Sequence, residues 1–300
     1  MLEGSFSHSI FWGHPISTLT FFALAMSFLS LWVRKTTWIW GSFLLIAYVL
    51  AFEAGIVTWI SLVPISILFF CHYFLKKDLS KSVRFLFICI ATGTSLALAF
   101  HFLPGFHNWK IASNLCLSPG AHPYHLWLNF DKPFIGLFVL ALGIPLISSR
   151  ERLIQVLKIS LPASFVGILI MLWVSLHFQQ VEWDPKIPKI FFIWFFDNLI
   201  FVSIPEEAFF RGFIQREFYL WFGKNKVAAL GSIMVTSVFF TLLHLIWVAD
   251  LSFLCLVFLA SVIYGTIYQI TDSIEASILC HFGLNLTHFL FFTYPALQHL

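Results

Sequence analysis

The sequence predicts an all-α fold, a polytopic bundle of about nine or ten transmembrane helices, and three observations predict it. Of 300 residues, 60% are hydrophobic and only 10% charged, with a mean hydropathy of +0.91. Soluble domains carry about 25% charged residues, and one core of this size cannot hide so much apolar surface. Lipid as solvent removes that difficulty. Apolar runs near the length that spans hydrocarbon, roughly 20 residues as helix, recur along the whole chain. Lys and Arg concentrate in every second connection, the bias that cytoplasmic loops carry.

The runs are 16–33, 37–52, 55–75, 85–103, 134–148, 158–178, 187–205, 226–248, 251–270 and 274–294, of which 37–52 and 134–148 are short. The opening MLEGSFSHSIFWGHP lacks the positive region of a cleavable signal, so the first run is expected to stay as a membrane helix. Arg34 and Lys35 follow the first run, and Lys76, Lys77, Lys81 and Arg84 follow the third. Arg150, Arg152 and Lys158 follow the fifth, and Arg216, Lys224 and Lys226 follow the seventh. Those connections hold twelve of the 17 basic residues; Lys110, Lys132, Lys186 and Lys189 fall on the other side. With an even count, both termini are non-cytoplasmic. Residues 104–133 form the one long connection, with Pro104, Pro119, Pro123 and Pro133 and the aromatics Trp109, Tyr124 and Trp127. They read as an ordered interfacial loop with aromatic anchors, and secondarily as a lid.

The formal net charge of +3 comes without a basic run of the kind that grips nucleic acid. Cys71, Cys89, Cys116, Cys255 and Cys280 show no CxxC spacing. Most sit in apolar runs, so they read as buried thiols rather than a disulfide frame. Nucleic-acid binding and a metal–thiolate centre are therefore excluded.

Ionisable groups inside membrane spans are costly and mark function. The densest set is Asp197, Asn198, Glu206, Glu207, Arg211, His244, His281, Asn285 and His288, all in the last four runs; the first half offers scattered positions such as Glu53 and His101. Glu207 and Arg211 are i and i+4, share a helix face and can pair. Glu206 points about 100° away and has no partner in its own segment, which suits a general base. The bland alternative is a capping box, Ser203-x-x-Glu206, opening a new helix. His244 lies i+4 from Phe240, and Asn285 lies i+4 from His281, where Gly283 permits close helix approach. Alone, His244 also reads as a hydrogen-bonded interior residue, and the His281–Asn285 pair as an interhelical hydrogen bond. Together they supply a water activator, a proton acceptor and oxyanion donors, the set that amide hydrolysis needs.

In chain order the motifs are EExxxR (Glu206, Glu207, Arg211), FxxxH (Phe240, His244) and HxxxN (His281, Asn285). This set resembles the CAAX-protease and bacteriocin-processing family, which includes the type II CAAX prenyl endopeptidase and bacterial relatives, over roughly 160–295. The resemblance implies an intramembrane glutamate endopeptidase, multi-pass in a bacterial inner membrane, with membrane lipid and a membrane-anchored or prenylated protein or peptide as partners. It divides the chain into an N-terminal transmembrane region, 1–150, without assigned role, and a peptidase domain, 151–300. Glu206 would activate water with His244 as its partner, His281 and Asn285 would hold the oxyanion, and Glu207 and Arg211 would orient the site. No cofactor is expected. Were a metal used, Glu206, His244 and His281 would be its ligands, a set that open zinc sites use. The competing functions are a proton-coupled transporter using the buried Glu and His residues and a non-catalytic membrane scaffold.

The runs as drawn set a geometric problem. With spans 187–205 and 226–248, Glu206 and His244 fall about 25–30 Å apart at 1.5 Å per residue. A seventh helix that continues past Pro205 to about Tyr219 removes the problem.

Overall fold

The computed structural model describes residues 6, 7, 9–34, 38–245 and 250–298. Lys35, and residues 246–248 of the eighth run, lie outside the described residues. A short helical turn, Ser9–Gly13, leads into α1 (Pro15–Arg34), α2 (Ile39–Glu53), α3 (Trp59–Leu75) and α4 (Lys81–Ala99). A hairpin of β1 (Trp109–Leu115) and β2 (Tyr124–Leu128) follows. Then come α5 (Phe134–Gly143), α6 (Arg150–His177), α7 (191–221), α8 (Lys226–His244), α9 (Leu251–Thr271) and α10 (Ile274–Phe291). Among the described residues, α1, α4, α6, α8, α9 and α10 are six helices long and apolar enough to cross a membrane. Helices α2, α3 and α5 are shorter apolar helices. The chain is an all-α, integral multi-pass membrane protein, and its outer surface agrees with that. Helix α6 turns Phe165, Val166, Leu169, Ile170 and Trp173 outward, an apolar face too large for water.

Side-chain caps start several helices. Ser149 accepts from Arg152 N at 3.1 Å, Asn225 from Ala228 N at 2.8 Å and Asp250 from Phe253 N at 2.8 Å, each satisfying a free amide of a first turn. The Ser149 cap sets the start of α6 eight residues before the run at 158, so Arg150, Arg152 and Lys158 belong to the helix. Arg152 reaches across to the carbonyls of Thr271 and Asp272, at 2.7 and 3.2 Å, and ties the ends of α6 and α9.

Two expectations need correction. The 104–133 connection is more than a loop. Within it β1 and β2 pair antiparallel, from Trp109 opposite Leu128 to Leu115 opposite Tyr124, with irregular register between. The burial alternates along β2, with Leu126 and Leu128 inward and Trp127 outward under the Lys110 ammonium. All five cysteines are free thiols, but Cys89, Cys116 and Cys255 are exposed, and only Cys71 and Cys280 are buried.

The seventh helix does continue past Pro205, as the spacing argument required. It runs from Phe191 to Trp221, with two π-helical stretches, 198–203 and 208–215. Proline lacks an amide hydrogen and its ring crowds the carbonyl four residues earlier, and the widened turns before it relieve that crowding. The capping box does not form: Ser203 is helical, makes no side-chain cap, and donates instead to Asn198 Oδ1 at 3.4 Å. Gly223, at φ +102°, takes the chain through the tight turn into α8, a conformation that suits glycine.

Helix α5 presses onto the Pro205 turn of α7. A Cβ on Gly136 would stand 2.4 Å from Pro205 Cα and 2.7 Å from its carbonyl oxygen. One hydrophobic core runs through both halves of the chain, from Phe21 to Phe289. Gly136→Ala is expected to cost about 1–3 kcal/mol through overpacking, read as a lower unfolding midpoint in detergent.

Candidate active site

The antiparallel pairing of α7 with α8 brings Glu206 and His244 to one level. Phe210 packs on Phe240 with ring centroids 4.7 Å apart. One turn back along α7 is Glu206, and one turn forward along α8 is His244, so both lie about 6 Å from that contact along the helix axes. Helix α10 supplies His281 and Asn285, and α9 supplies Ser261 and Tyr264.

At the base of the site is a buried ion network. Glu207 and Arg211 are both 0% exposed and pair at 3.1 Å, the i, i+4 bridge expected from their spacing. Glu207 Oε1 also accepts from His281 Nδ1 at 2.8 Å, and its Oε2 accepts from Ser277 Oγ at 2.7 Å. Arg211 Nη2 donates to the Ser261 carbonyl at 3.0 Å and to Ser261 Oγ at 2.8 Å. Its guanidinium lies near the rings of Phe210, Phe240 and Tyr264. Buried charges persist only when paired and hydrogen-bonded, and these partners come from α9 and α10, so the pair also fastens α7 to both. The Tyr264 ring stacks on the His281 ring at 4.7 Å and 12°.

The ring nitrogens are thereby assigned. A carbonyl only accepts, so His244 Nδ1, 2.8 Å from Phe240 O, carries hydrogen. That leaves Nε2 as the nitrogen with a free lone pair in the neutral ring. His281 Nδ1 likewise donates to Glu207, which makes its Nε2 the outer nitrogen. This modifies the simplest expectation for His281: it is held by Glu207 from behind. Asn285 Nδ2 donates to Asn198 Oδ1 at 3.1 Å, with its second hydrogen unassigned by that contact. His288, the end of the same stripe, bonds the Thr293 carbonyl at 3.0 Å.

A cavity of about 220 Å³ is lined by the polar side chains of His244, Tyr264, His281, Asn285 and His288, with Phe240 beside them. Met171, Leu172, Leu256 and Val257 are among its apolar lining residues. Three of the four residues expected to do chemistry thus face one space. Glu206 stands beside that lining, 15% exposed, with His244 and His281 within electrostatic reach. Its Oε1 accepts from Lys132 Nζ at 2.6 Å.

Sequence reasoning did not assign Lys132 to the site. One signal pointed to it: Lys132 is among the four basic residues that break the charge alternation. Ser261, Ser277 and Tyr264 were also missed, since a serine or tyrosine in an apolar helix carries no distinguishing spacing. For a metal, the fit is poor. Among the described residues no three His, Cys, Asp or Glu side chains are arranged to hold an ion, and the Lys132 ammonium sits against Glu206 where a dication would meet like charge.

Residues 188–287 match the family model of type II CAAX prenyl endopeptidases, Rce1-like. About a third of the chain is thus similar to that family. The Rce1-like region starts just before α7 and ends within α10, so it contains Glu206, Glu207, Arg211, His244, His281 and Asn285 but not Lys132. The match points to a membrane protease at the level of this family and does not favour a transporter or a scaffold. No curated protein and no solved structure matches the chain.

Proposed function

We propose that the Rce1-like chain is an endopeptidase that cuts a membrane-anchored or prenylated protein or peptide near its C-terminus, using water activated by Glu206. The observation that carries this reading is the convergence of His244, His281 and Asn285, from two helices, on one cavity beside Glu206. Glu206 takes a proton from water while His244 Nε2 accepts that water's other hydrogen and orients it. The new C–O bond forms at the scissile carbonyl, whose oxygen becomes an oxyanion. Asn285 Nδ2 donates to that oxyanion and the His281 ring stands beside it, an arrangement that stabilises developing charge in acyl transfer. Collapse of the intermediate breaks the C–N bond, and the proton held by Glu206 passes to the leaving amine. Glu207 and Arg211 hold the imidazole of His281 in place from behind.

The apolar lining of the cavity, with Met171, Leu256 and Val257, suits a lipidated or membrane-embedded substrate. The bacterial inner membrane is part of this reading and rests on the likeness of the motifs to bacterial members. The reading uses no cofactor.

The test is reconstitution of the full chain in proteoliposomes with a farnesylated peptide that ends in a CAAX-type tetrapeptide and carries a fluorophore–quencher pair. Release of the C-terminal tripeptide is expected. Proton flux across the same vesicles without any cleavage would replace this reading with the transporter. Asn285→Leu is expected to lower kcat by about 10²–10³, the loss typical of one oxyanion donor, with KM little changed.

A further inference from the structure

We infer that Lys132 is a positioning residue for hydrolysis, holding Glu206 as a carboxylate with one oxygen turned to the reacting water. The inference rests on the reading of Glu206 as general base. Lys132 takes Glu206 Oε1 at 2.6 Å. Among the described residues Oε2 has no hydrogen-bond donor from the protein. One oxygen is thus anchored and the other is left for water.

The anchor is built, not incidental. Asp131, 1% exposed, bonds His101 Nδ1 at 2.6 Å through Oδ2. Its Oδ1 accepts from Asn108 Nδ2 at 3.0 Å and from the backbone amide of Lys132 itself at 2.9 Å. Asn108 Oδ1 in turn accepts the amide of Phe130 at 2.9 Å. Three successive residues are therefore clamped, and Pro133 then opens α5. Helix α5 rests on the Pro205 turn through Gly136. Both ends of the Lys132–Glu206 bridge thus stand on backbone that is in direct contact.

Charge explains why the clamp is needed. Lys132 interacts electrostatically with Asp197 and Asp131 as well as with Glu206. His244 and His281 face Glu206 from α8 and α10. Without the ammonium, Glu206 and Asp197 would both lose a nearby cation in a low-dielectric site. A buried carboxylate without a cation takes up a proton and ceases to be a base. A buried ion pair adds little net stability compared with apolar packing, so stability alone does not account for the arrangement. The residue belongs to the N-terminal half, outside the Rce1-like region, which gives that half a part in the chemistry.

The test compares Lys132→Met, Lys132→Gln, Lys132→Arg and Glu206→Gln with the unaltered full chain in the same vesicles and with the same farnesylated peptide. Lys132→Met and Lys132→Gln are expected to lower kcat by about 10-fold to 100-fold with KM within about twofold, the pattern of a lost transition-state interaction. Lys132→Arg, which keeps the charge, is expected to recover most of that rate. Near-normal kcat in Lys132→Met overturns the inference. So does an equal loss in Lys132→Arg, a change in KM alone, or failure of both neutral variants to fold, since each makes Lys132 a structural residue. High activity in Glu206→Gln would instead remove the general-base reading. An inactive Glu206→Gln beside a fully active Lys132→Met would remove only the role of Lys132.

Discussion

Glu206→Gln is expected to lower the rate of peptide cleavage by about 10²–10⁴-fold, the span that a positioned general base contributes. Gln is the informative substitution because it keeps the volume and retains an oxygen to accept from Lys132. The helix around it has little reason to change: the Pro205 turn is held by α5, and Glu207 and Arg211 form their own network behind it. Binding should persist, so the loss appears in kcat. The measurement is steady-state cleavage of the farnesylated peptide, with an unfolding midpoint recorded for each protein. His244→Gln is expected to fall in the same range, because in the proposed mechanism His244 Nε2 orients the same water.

Arg211→Met produces the largest expected loss of stability, about 3–5 kcal/mol, the cost of leaving one member of a buried ion pair uncompensated. Glu207 is 0% exposed, and its remaining partners would be His281 and Ser277. The carbonyl of Ser261 would also lose its guanidinium donor. Adding Glu207→Gln should recover part of the loss, since a neutral pair is less costly to bury than a lone carboxylate. A double-mutant cycle in detergent, read by thermal or denaturant unfolding, measures the coupling. Activity will not return with stability, because His281 is then no longer held by a carboxylate.

These two variants also separate what was legible in the sequence from what was not. The Glu207–Arg211 bridge was legible because helix periodicity places i and i+4 on one face wherever the helix runs. The length of α7 was legible by contradiction: residues that share a water cannot lie at opposite ends of two spans, and the helix does run past Pro205 to Trp221. The π-helical stretch at 198–203 was not legible, because it answers a local conflict between Pro205 and the preceding carbonyls. The start of α6 was misplaced because hydropathy reports lipid contact, whereas this helix begins at the Ser149 cap. Lys132 was out of reach for a different reason. It meets Glu206 from 74 residues away in the chain, through a hairpin whose short strands lie among prolines and through the packing of α5. No periodicity links those positions. The partner of His281 was half legible: its stripe with Asn285 was visible, but the attachment of its Nδ1 to Glu207 depends on how α7 and α10 cross.

In the proposed mechanism a glutamate, not a metal ion, activates the water. The most direct measurement is the cleavage rate of the purified, reconstituted chain before and after treatment with a tight zinc chelator, with bound metal quantified in the same sample. The account predicts an unchanged rate and metal well below one equivalent. Loss of cleavage on chelation, restored by stoichiometric zinc, would contradict it.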